Sequence, residues 1–217
     1  MKNFVEDFNK TFPKFAISEF ADNTSIVEQS NDDNGKFKEL ILSGLGGFSF
    51  CHDFASKISS FPKASGHQGC LKKDCDGILL FEYKEKNYLI LSELKSKFDV
   101  DNLAKAKDQL VGTFINLRAT LSVLQNVDLS NYSILGLIAC YEPNNEIISA
   151  ISKREDKKAS FAIKLNSEHK YLMPKTKCDR FYGPLKMCDF QIVYIPVPEN
   201  KTSYSANITE IIDLVDN

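Results

Sequence analysis

Two strand-like apolar runs joined by a short polar turn constrain the fold of this chain more than any other feature. Residues 77–83 (Gly-Ile-Leu-Leu-Phe-Glu-Tyr) and 88–95 (Tyr-Leu-Ile-Leu-Ser-Glu-Leu-Lys) flank the turn 84–87. The pattern predicts a β-hairpin. Because both runs are apolar at nearly every position, we expect both faces of the sheet to be covered, as in a sheet packed between helices.

A long amphipathic helix and another buried strand are predicted after the hairpin. Asp99 or Asp101 can cap the helix, which should end near Asn126. Residues 131–141 read as a strand that the crossover helix should place parallel to an earlier strand. The apolar stripe that should pack the helix on the sheet consists of Leu103, Leu110, Phe114, Leu117, Leu121 and Leu124.

Weaker patterns predict the remaining elements of secondary structure. Helices are expected over 36–43 and 51–59, and a loop over 61–75. Further strands are expected at 147–152, 159–165 and 189–197.

The predicted order of helix, hairpin, helix and strand indicates an α/β protein with a mixed β-sheet flanked by helices. No repeat, low-complexity tract or linker interrupts the 217 residues, so we expect a single domain spanning 1–217. Its core should lie within 36–141, and 142–217 should form a C-terminal elaboration.

Charge is distributed unevenly along the chain. The net charge of -2 argues against nucleic-acid binding by bulk electrostatics alone. Residues 1–35 carry a net charge of -4, whereas 153–186 hold ten basic and four acidic side chains, a net charge of +6. A polyanion could dock on the basic segment, and solvated surface lysines explain the same composition equally well.

Compartment is also indicated by composition. No apolar run reaches the roughly 18 residues of a membrane span, and the N-terminus lacks the apolar region of a secretory signal. We therefore expect a cytoplasmic protein that does not enter membranes, with its six cysteines reduced.

A structural zinc site is one interpretation of a cysteine-containing segment. His67, Cys70 and Cys75 lie close in sequence, and Cys51 or His52 could complete four tetrahedral ligands. The spacing does not match a paired Cys-x-x-Cys knuckle, which counts against this interpretation.

The tripeptide Glu-x-Lys occurs five times, so the tripeptide alone selects no site. The copies begin at Glu82, Glu93, Glu155, Glu168 and Glu199. Glu93 differs from the others because it ends an apolar strand, where burial of a charged pair is costly unless function or pairing compensates for it.

Strand geometry brings further charges to Glu93. If Tyr83 pairs with Tyr88 across the turn, Asp76 lies opposite Lys95. Residues two apart on a strand share a face with each other and with their cross-strand partners, so Asp76, Glu93 and Lys95 should project the same way. A register shift of one residue would separate them.

These side chains fit metal-assisted chemistry on phosphates. Two carboxylates suit Mg²⁺ or Mn²⁺, which can activate water and stabilise developing charge, while a lysine orients the water. Asp74, further out on the same face, is a weaker candidate ligand, and Lys105 and Gln109 on the following helix could contact phosphate or water. Glu39, on the helix predicted at 36–43, could add an acidic ligand. In the plainer interpretation, Asp76 opens a turn and Glu93 with Lys95 forms an ion pair on a solvated face.

This arrangement resembles the PD-(D/E)XK nuclease superfamily. The resemblance covers 36–141 and rests on Asp76, on Glu93-Leu94-Lys95 at the end of the next strand, and on a helix bearing Gln109. It implies a restriction-endonuclease-like core in α-β-β-β-α-β order. This chain departs from the superfamily motif in having Cys75 where a proline is usual, and 142–217 matches no known pattern.

The resemblance also implies residue roles. Asp76 and Glu93 would bind Mg²⁺ or Mn²⁺, with the Leu94 carbonyl as a third ligand and Glu39 as an early-helix acid. Lys95 would be the catalytic lysine and Gln109 an accessory catalytic group.

We therefore expect a metal-dependent endonuclease or exonuclease, with DNA favoured over RNA as its nucleic-acid partner. It could act as a homodimer or as a subunit of a larger complex. The alternatives are an inactive nuclease-like fold that binds nucleic acid or protein, and a zinc-stapled binding domain.

Overall fold

The computed structural model describes residues 2–15, 17–28, 36–51, 54, 57, 74–124, 127–173 and 190–216. These residues form a mixed α/β structure, as predicted. The elements in chain order are α1 (Lys2–Thr11), β1 (Ile17–Phe20), β2 (Asn23–Val27), β3 (Glu39–Ser43), β4 (Gly47–Phe50), β5 (Gly77–Tyr83), β6 (Lys86–Lys95), α2 (Val100–Leu121), a 3-10 turn (Leu129–Asn131), β7 (Tyr132–Tyr141), α3 (Asn145–Ser152), α4 (Lys157–Glu168), β8 (Lys170–Leu172), β9 (Phe190–Val197), β10 (Ser203–Asn207) and α5 (Ile208–Asp216).

The larger of two sheets has seven strands in the order β1-β4-β5-β6-β7-β9-β8. The pairs β1–β4, β4–β5 and β5–β6 are antiparallel, and the pairs β6–β7 and β7–β9 are parallel. Strand β8 forms the edge of the sheet and is antiparallel to β9. The parallel pairing of β7 with β6 across helix α2 confirms the crossover that we predicted. A second sheet has the order β10-β3-β2.

Both faces of the large sheet are covered, as the continuous apolar runs indicated. Helices α1, α2, α3 and α4 pack on one face, and side chains of β2, β3 and α5 pack on the other. Strand β5 shows the division, because Ile78 and Leu80 face the helices while Leu79 and Phe81 face the small sheet. Two buried cores, one on each side, therefore fix the orientation of every residue in the hairpin.

The hairpin turn is shorter than predicted. Tyr83 pairs with Lys86, not with Tyr88, and the two-residue turn Lys84-Glu85 has positive φ angles of 49° and 62°. This pattern is that of a type I′ turn, whose twist matches the twist of the flanking strands. The difference from the predicted register is two residues, so each side chain stays on its predicted face.

The helix predicted over 36–43 is wrong. Residues Glu39–Ser43 form strand β3, in which Leu40 and Leu42 are buried and their neighbours are partly exposed. This alternation matches the period of a strand, and β3 is held between β2 and β10, which comes from the far end of the chain. The first helix of the chain is α1 at Lys2–Thr11, which we did not predict.

Two of the three strands predicted near the C-terminus are also wrong. Residues 147–152 lie in α3 and 159–165 lie in α4. Both helices have capped N-termini, since Asn144 accepts a hydrogen bond from the Ile147 N–H and Asp156 accepts one from the Ala159 N–H. The strand predicted at 189–197 is confirmed by β9. The predictions for 51–59 and 61–75 fall mostly outside the described residues.

Helix α2 lies where the sequence placed it, although it ends at Leu121 rather than near Asn126. Its N-cap is Asp99, whose carboxylate accepts a hydrogen bond from the Asn102 N–H at 2.8 Å. The whole predicted apolar stripe is buried. At Gly136 of β7, an added Cβ would lie 2.9 Å from Leu110 Cδ1, so this glycine lets α2 approach the sheet closely. None of the helices in the described ranges is long and apolar enough to cross a bilayer.

Candidate active site

Asp76, Glu93 and Lys95 lie together at the end of the hairpin remote from its turn. Gly77 pairs with Ser92, so continuing the register by one pair sets Asp76 opposite Glu93. The alternation along β5 and β6 turns all three side chains toward the face covered by helix α2. The predicted convergence of these charges is therefore present, although Glu93, not Lys95, is the cross-strand neighbour of Asp76.

The Asp76 carboxylate is held in place by the main chain of the next strand. Its Oδ2 accepts a hydrogen bond from the Leu94 N–H at 2.8 Å. Leu94 itself is buried on the opposite face of the sheet. Residue 94 thus orients Asp76, in addition to the role as a carbonyl ligand that the resemblance implies for it.

Glu93 is a buried carboxylate whose two oxygens differ. Its Oε1 accepts a hydrogen bond from Lys95 Nζ in an ion pair, and the two side chains are only 1% and 12% exposed. Its Oε2 is buried and has no hydrogen-bond partner among the described residues. The interpretation of this pair as an ion pair on a solvated face is therefore wrong.

Burial and a neighbouring carboxylate both disfavour the charged form of Glu93. Burial and the negative charge of Asp76 raise the pKa of Glu93 to about 8, although Lys95 acts in the opposite direction. Glu28 contributes a smaller increase. Two carboxylates that repel each other, one of them buried, favour binding of either a proton or a cation.

The oxygen ligands available here suit an ion such as Mg²⁺, which keeps several waters, better than an ion that is coordinated by protein side chains alone. In the described part of the chain, no three His, Cys, Asp or Glu side chains are arranged to hold one ion. Mg²⁺ needs no such cage, because it keeps several waters and is usually bound by one or two carboxylates. Asp76 and the free oxygen of Glu93 meet that requirement, and Mn²⁺ accepts the same oxygen ligands.

Helix α2 holds the segment that leads into Asp76. Gln109 Nε2 donates to the Asp74 carbonyl at 3.0 Å, and the Cys75 N–H donates to Thr113 Oγ1 at 2.8 Å. Gln109 and Thr113 are one helical turn apart, and Thr113 is fully buried. Gln109 therefore lies at the site, as predicted, but its amide nitrogen binds the main chain. Sequence reasoning missed Thr113, for which the i+4 spacing from Gln109 was the available signal.

Replacing Thr113 with valine should destabilise the fold and misplace Asp76. Valine keeps the shape of threonine but leaves the buried N–H of Cys75 without an acceptor, which costs about 1–3 kcal/mol. Urea denaturation of the two proteins measures this difference. Thr113→Ser retains the hydroxyl and should recover most of the loss, and equal stability of Thr113→Val and wild type would show that this hydrogen bond does not hold the segment.

Glu39 is not placed as predicted. It lies at the start of β3 in the small sheet, where its carboxylate accepts hydrogen bonds from Ser25 Oγ and from Ser203 Oγ. These hydrogen bonds lower the pKa of Glu39, and no charged group of the site is among the causes. Both carboxylate oxygens are thus engaged in joining three strands, which argues against a role as metal ligand.

Glu28 is an acidic group near the site that sequence reasoning missed. It directly follows β2, and its Oε2 is buried without a hydrogen-bond partner in the described ranges. Its charge acts on Glu93, as described above. The only local signal was that Glu28 directly follows the apolar residues Ile26 and Val27.

The zinc interpretation gains no support from Cys75. Its Sγ donates to the Gly77 carbonyl at 3.2 Å, and burial, followed by the charge of Glu93, raises the pKa of its thiol. The Sγ atom that zinc would require is thus engaged with the main chain. The other proposed ligands His67, Cys70 and His52 lie outside the described residues.

The basic stretch at 153–186 is described only as far as residue 173. Within this part three basic side chains form ion pairs, which are Arg154 with Asp156, Lys158 with Asp101 and Lys164 with Glu168. Their charge is partly neutralised by these neighbours. Asp156 and Glu168 are already counted in the net charge of +6, so only the ion pair of Lys158 with Asp101 reduces the positive charge of the stretch further.

Comparisons of the chain with protein-family models, with curated proteins and with solved structures gave no match. Function is therefore inferred from the chemistry of the site. A buried carboxylate with a lysine in contact and a second, half-buried carboxylate beside it can bind a hard divalent cation and act on a substrate that carries negative charge.

Proposed function

We propose that this protein is a metal-dependent nuclease that hydrolyses phosphodiester bonds, with DNA as the favoured substrate. Mg²⁺ or Mn²⁺ would bind to Asp76 and Glu93. The observation that carries the proposal is the Glu93 carboxylate, which is 1% exposed, is paired with Lys95 through one oxygen and has no partner for the other among the described residues. Retention of a buried, charged acid beside a second acid is costly unless a proton or a cation compensates for it, and a bound divalent cation would do so.

The order of elements around the site supports a restriction-endonuclease-like core. Helix α1 is followed by β1 of the large sheet, then by the small-sheet strands β2 and β3, then by the antiparallel neighbours β4, β5 and β6, and then by α2 and by β7 parallel to β6. If the small sheet is treated as an insertion, this is the α-β-β-β-α-β order that the resemblance implies with one additional edge strand, β1. Helix α1 would then take the place that we had predicted for a helix at 36–43.

The residues of this chain divide the catalytic task in the proposed reaction. Asp76, oriented by the Leu94 N–H, and Glu93, oriented by Lys95, would hold the cation. The bound ion would activate a water molecule and stabilise the negative charge that develops on the phosphate. Lys95 provides a positive charge that would orient the attacking water or hold the phosphate oxygen.

Helix α2 would keep the site rigid during this reaction. Gln109 and Thr113 bind the main chain at residues 74 and 75, directly before Asp76. Fixing the main chain directly before a catalytic group limits its movement, and small displacements of such groups reduce rates strongly. Gln109 therefore serves as a positioning residue in this proposal.

A cleavage assay with supercoiled plasmid tests the proposed function. In Mg²⁺ or Mn²⁺ we expect conversion to nicked or linear DNA, and in EDTA we expect none. A single-stranded RNA of defined length, assayed in parallel, identifies the favoured nucleic acid. Salt-sensitive binding of plasmid without any cleavage would instead support a nuclease-like binding module. If the protein neither binds nor cleaves DNA or RNA, the proposal is refuted.

A further inference from the structure

We propose that Cys75 is a positioning residue that fixes the separation of the Asp76 and Glu93 carboxylates through its sulfur atom. This role rests on the proposed function and deepens it, because the two carboxylates would bind the cation. Cys75 itself would contact neither the cation nor the substrate.

Cys75 is enclosed between the large sheet and helix α2. Its side chain belongs to the buried core on that face and is 5% exposed. Its N–H donates to Thr113 Oγ1 at 2.8 Å, which ties the main chain to the helix. Proline, which is usual at this position in the superfamily that the chain resembles, has neither an N–H nor a thiol. The departure from the superfamily motif therefore brings contacts that proline could not make.

The thiol closes a hydrogen-bonded loop around Asp76. Cys75 Sγ donates to the Gly77 carbonyl at 3.2 Å, so one side chain joins the residues on both sides of Asp76. Because this hydrogen bond spans residue 76, it restricts the two main-chain dihedral angles that aim the Asp76 carboxylate. The carboxylate itself is held separately, by the Leu94 N–H.

The same sulfur atom also reaches the strand that carries Glu93. Burial raises the pKa of the Cys75 thiol, whereas a hydrogen bond with the Ser92 main chain lowers it. Ser92 directly precedes Glu93 and pairs with Gly77 across the hairpin. The sulfur therefore contacts the residue after Asp76 and the residue before Glu93. One buried atom thus links the main chain beside each of the two carboxylates.

The spacing of the two carboxylates decides how well they hold a divalent cation. Mg²⁺ requires oxygen ligands at about 2.0–2.1 Å in near-octahedral geometry, so a small displacement of a carboxylate costs affinity. Groups that orient metal ligands without touching the ion typically change metal affinity by about 10- to 100-fold. Misplacement of a reacting group by about 1 Å can cost about a hundredfold in rate. Removal of the sulfur should therefore weaken both binding and cleavage.

Cys140 provides a matched control for the loss of a buried thiol. It lies on β7 in the same helix-covered core and is fully buried. Its register partner is Lys95 on β6, and its sulfur forms a hydrogen bond with the main chain of Tyr141 at the end of β7. Cys140→Ala therefore removes a buried sulfur near the site without changing the hydrogen-bonded loop around Asp76.

The experiment is a calorimetric titration of Mn²⁺ into the wild-type protein and into C75A, C75S and C140A, combined with plasmid cleavage at saturating Mn²⁺. C75A keeps the N–H that binds Thr113 but loses the sulfur. We expect C75A to bind Mn²⁺ about tenfold more weakly than wild type and to cleave more slowly even at saturating Mn²⁺. C75S retains a hydroxyl donor, so its affinity and rate should lie between those of C75A and wild type. C140A should bind Mn²⁺ like wild type.

The outcomes separate the role of Cys75 from the proposed function. Mn²⁺ binding by the wild type, with unchanged affinity and rate in C75A, would refute only the role of Cys75. Equal losses of affinity in C75A and C140A would do the same, because they would show a general effect of removing a buried thiol. Absence of Mn²⁺ binding by the wild type would overturn both proposals.

Thermal melting in EDTA distinguishes positioning from folding. A lower melting temperature of C75A with wild-type Mn²⁺ affinity would show that Cys75 is only structural. Should C75A fail to fold, C75S decides the question, and wild-type affinity and rate in C75S would exclude a role for the sulfur.

Discussion

Glu93→Gln is expected to abolish metal-dependent cleavage of DNA, with a loss of at least about a hundredfold in rate. Glutamine has nearly the size of glutamate, so packing between β6 and α2 should be kept. The change removes the negative charge that would bind the cation and the ion pair with Lys95. Lys95→Ala should lose activity to a similar order but should still bind Mn²⁺, because both carboxylates remain. Plasmid nicking measures activity, and calorimetry measures binding.

The same hairpin supplies the control for this experiment. Glu82-Tyr83-Lys84 repeats the Glu-x-Lys tripeptide beside the turn, where Glu82 is exposed and Lys84 pairs with Asp213 of α5. Glu82→Gln should therefore leave cleavage and Mn²⁺ affinity unchanged. Equal activities of Glu93→Gln, Glu82→Gln and wild type would show that the buried pair has no catalytic role, and the protein would then be one of the non-enzymatic alternatives.

The central part of the site could be predicted because it depends on the two-residue period of strands. The turn was predicted two residues too long, yet Asp76, Glu93 and Lys95 still share a face, since a shift by two preserves the alternation. Helix α2 could likewise be predicted from its capping Asp99 and its long apolar stripe. These signals are local, and each covers enough residues to distinguish the two-residue period of a strand from the 3.6-residue period of a helix.

The parts that could not be predicted depend on contacts between distant segments. The apolar residues of 36–43 fit a short helix as well as a strand, and the pairing of β3 with β10 decided the outcome. Ile26 meets Gly77, and Thr113 of α2 meets Cys75, through contacts between segments that are far apart in the chain. In α3 and α4, the capping residues Asn144 and Asp156 outweighed the β-branched and aromatic residues that had favoured strands.

The stability of the wild-type protein in EDTA should fall as the pH rises from about 4.5 to about 8. Burial and the charge of Asp76 raise the pKa of Glu93 from 4.5 to about 8, so within this window the folded chain retains a proton that the unfolded chain has released. The contribution of protonated Glu93 to stability is fully present below its pKa in the unfolded chain, and it is lost as the pH rises to its pKa in the folded chain. One proton gives a slope of at most about 1.4 kcal/mol per pH unit. Urea denaturation at three pH values measures it.

Comparison with Glu93→Gln isolates this contribution, because glutamine does not titrate. We expect the variant to gain stability relative to the wild type as pH rises, whereas Glu82→Gln should follow the wild type at every pH. Parallel pH profiles of Glu93→Gln and wild type would contradict the raised pKa.

A divalent cation should reverse the loss at high pH. Mg²⁺ binds only the folded protein in this scheme, and at one hundred times its dissociation constant it should stabilise the wild type by about 2.7 kcal/mol. The effect should be large at pH 8 and small at pH 5, because the cation competes with a proton for Glu93. Glu93→Gln should show little stabilisation at either pH. A cation effect that is equal at both pH values, or equal in the two proteins, would place the binding site elsewhere on the chain.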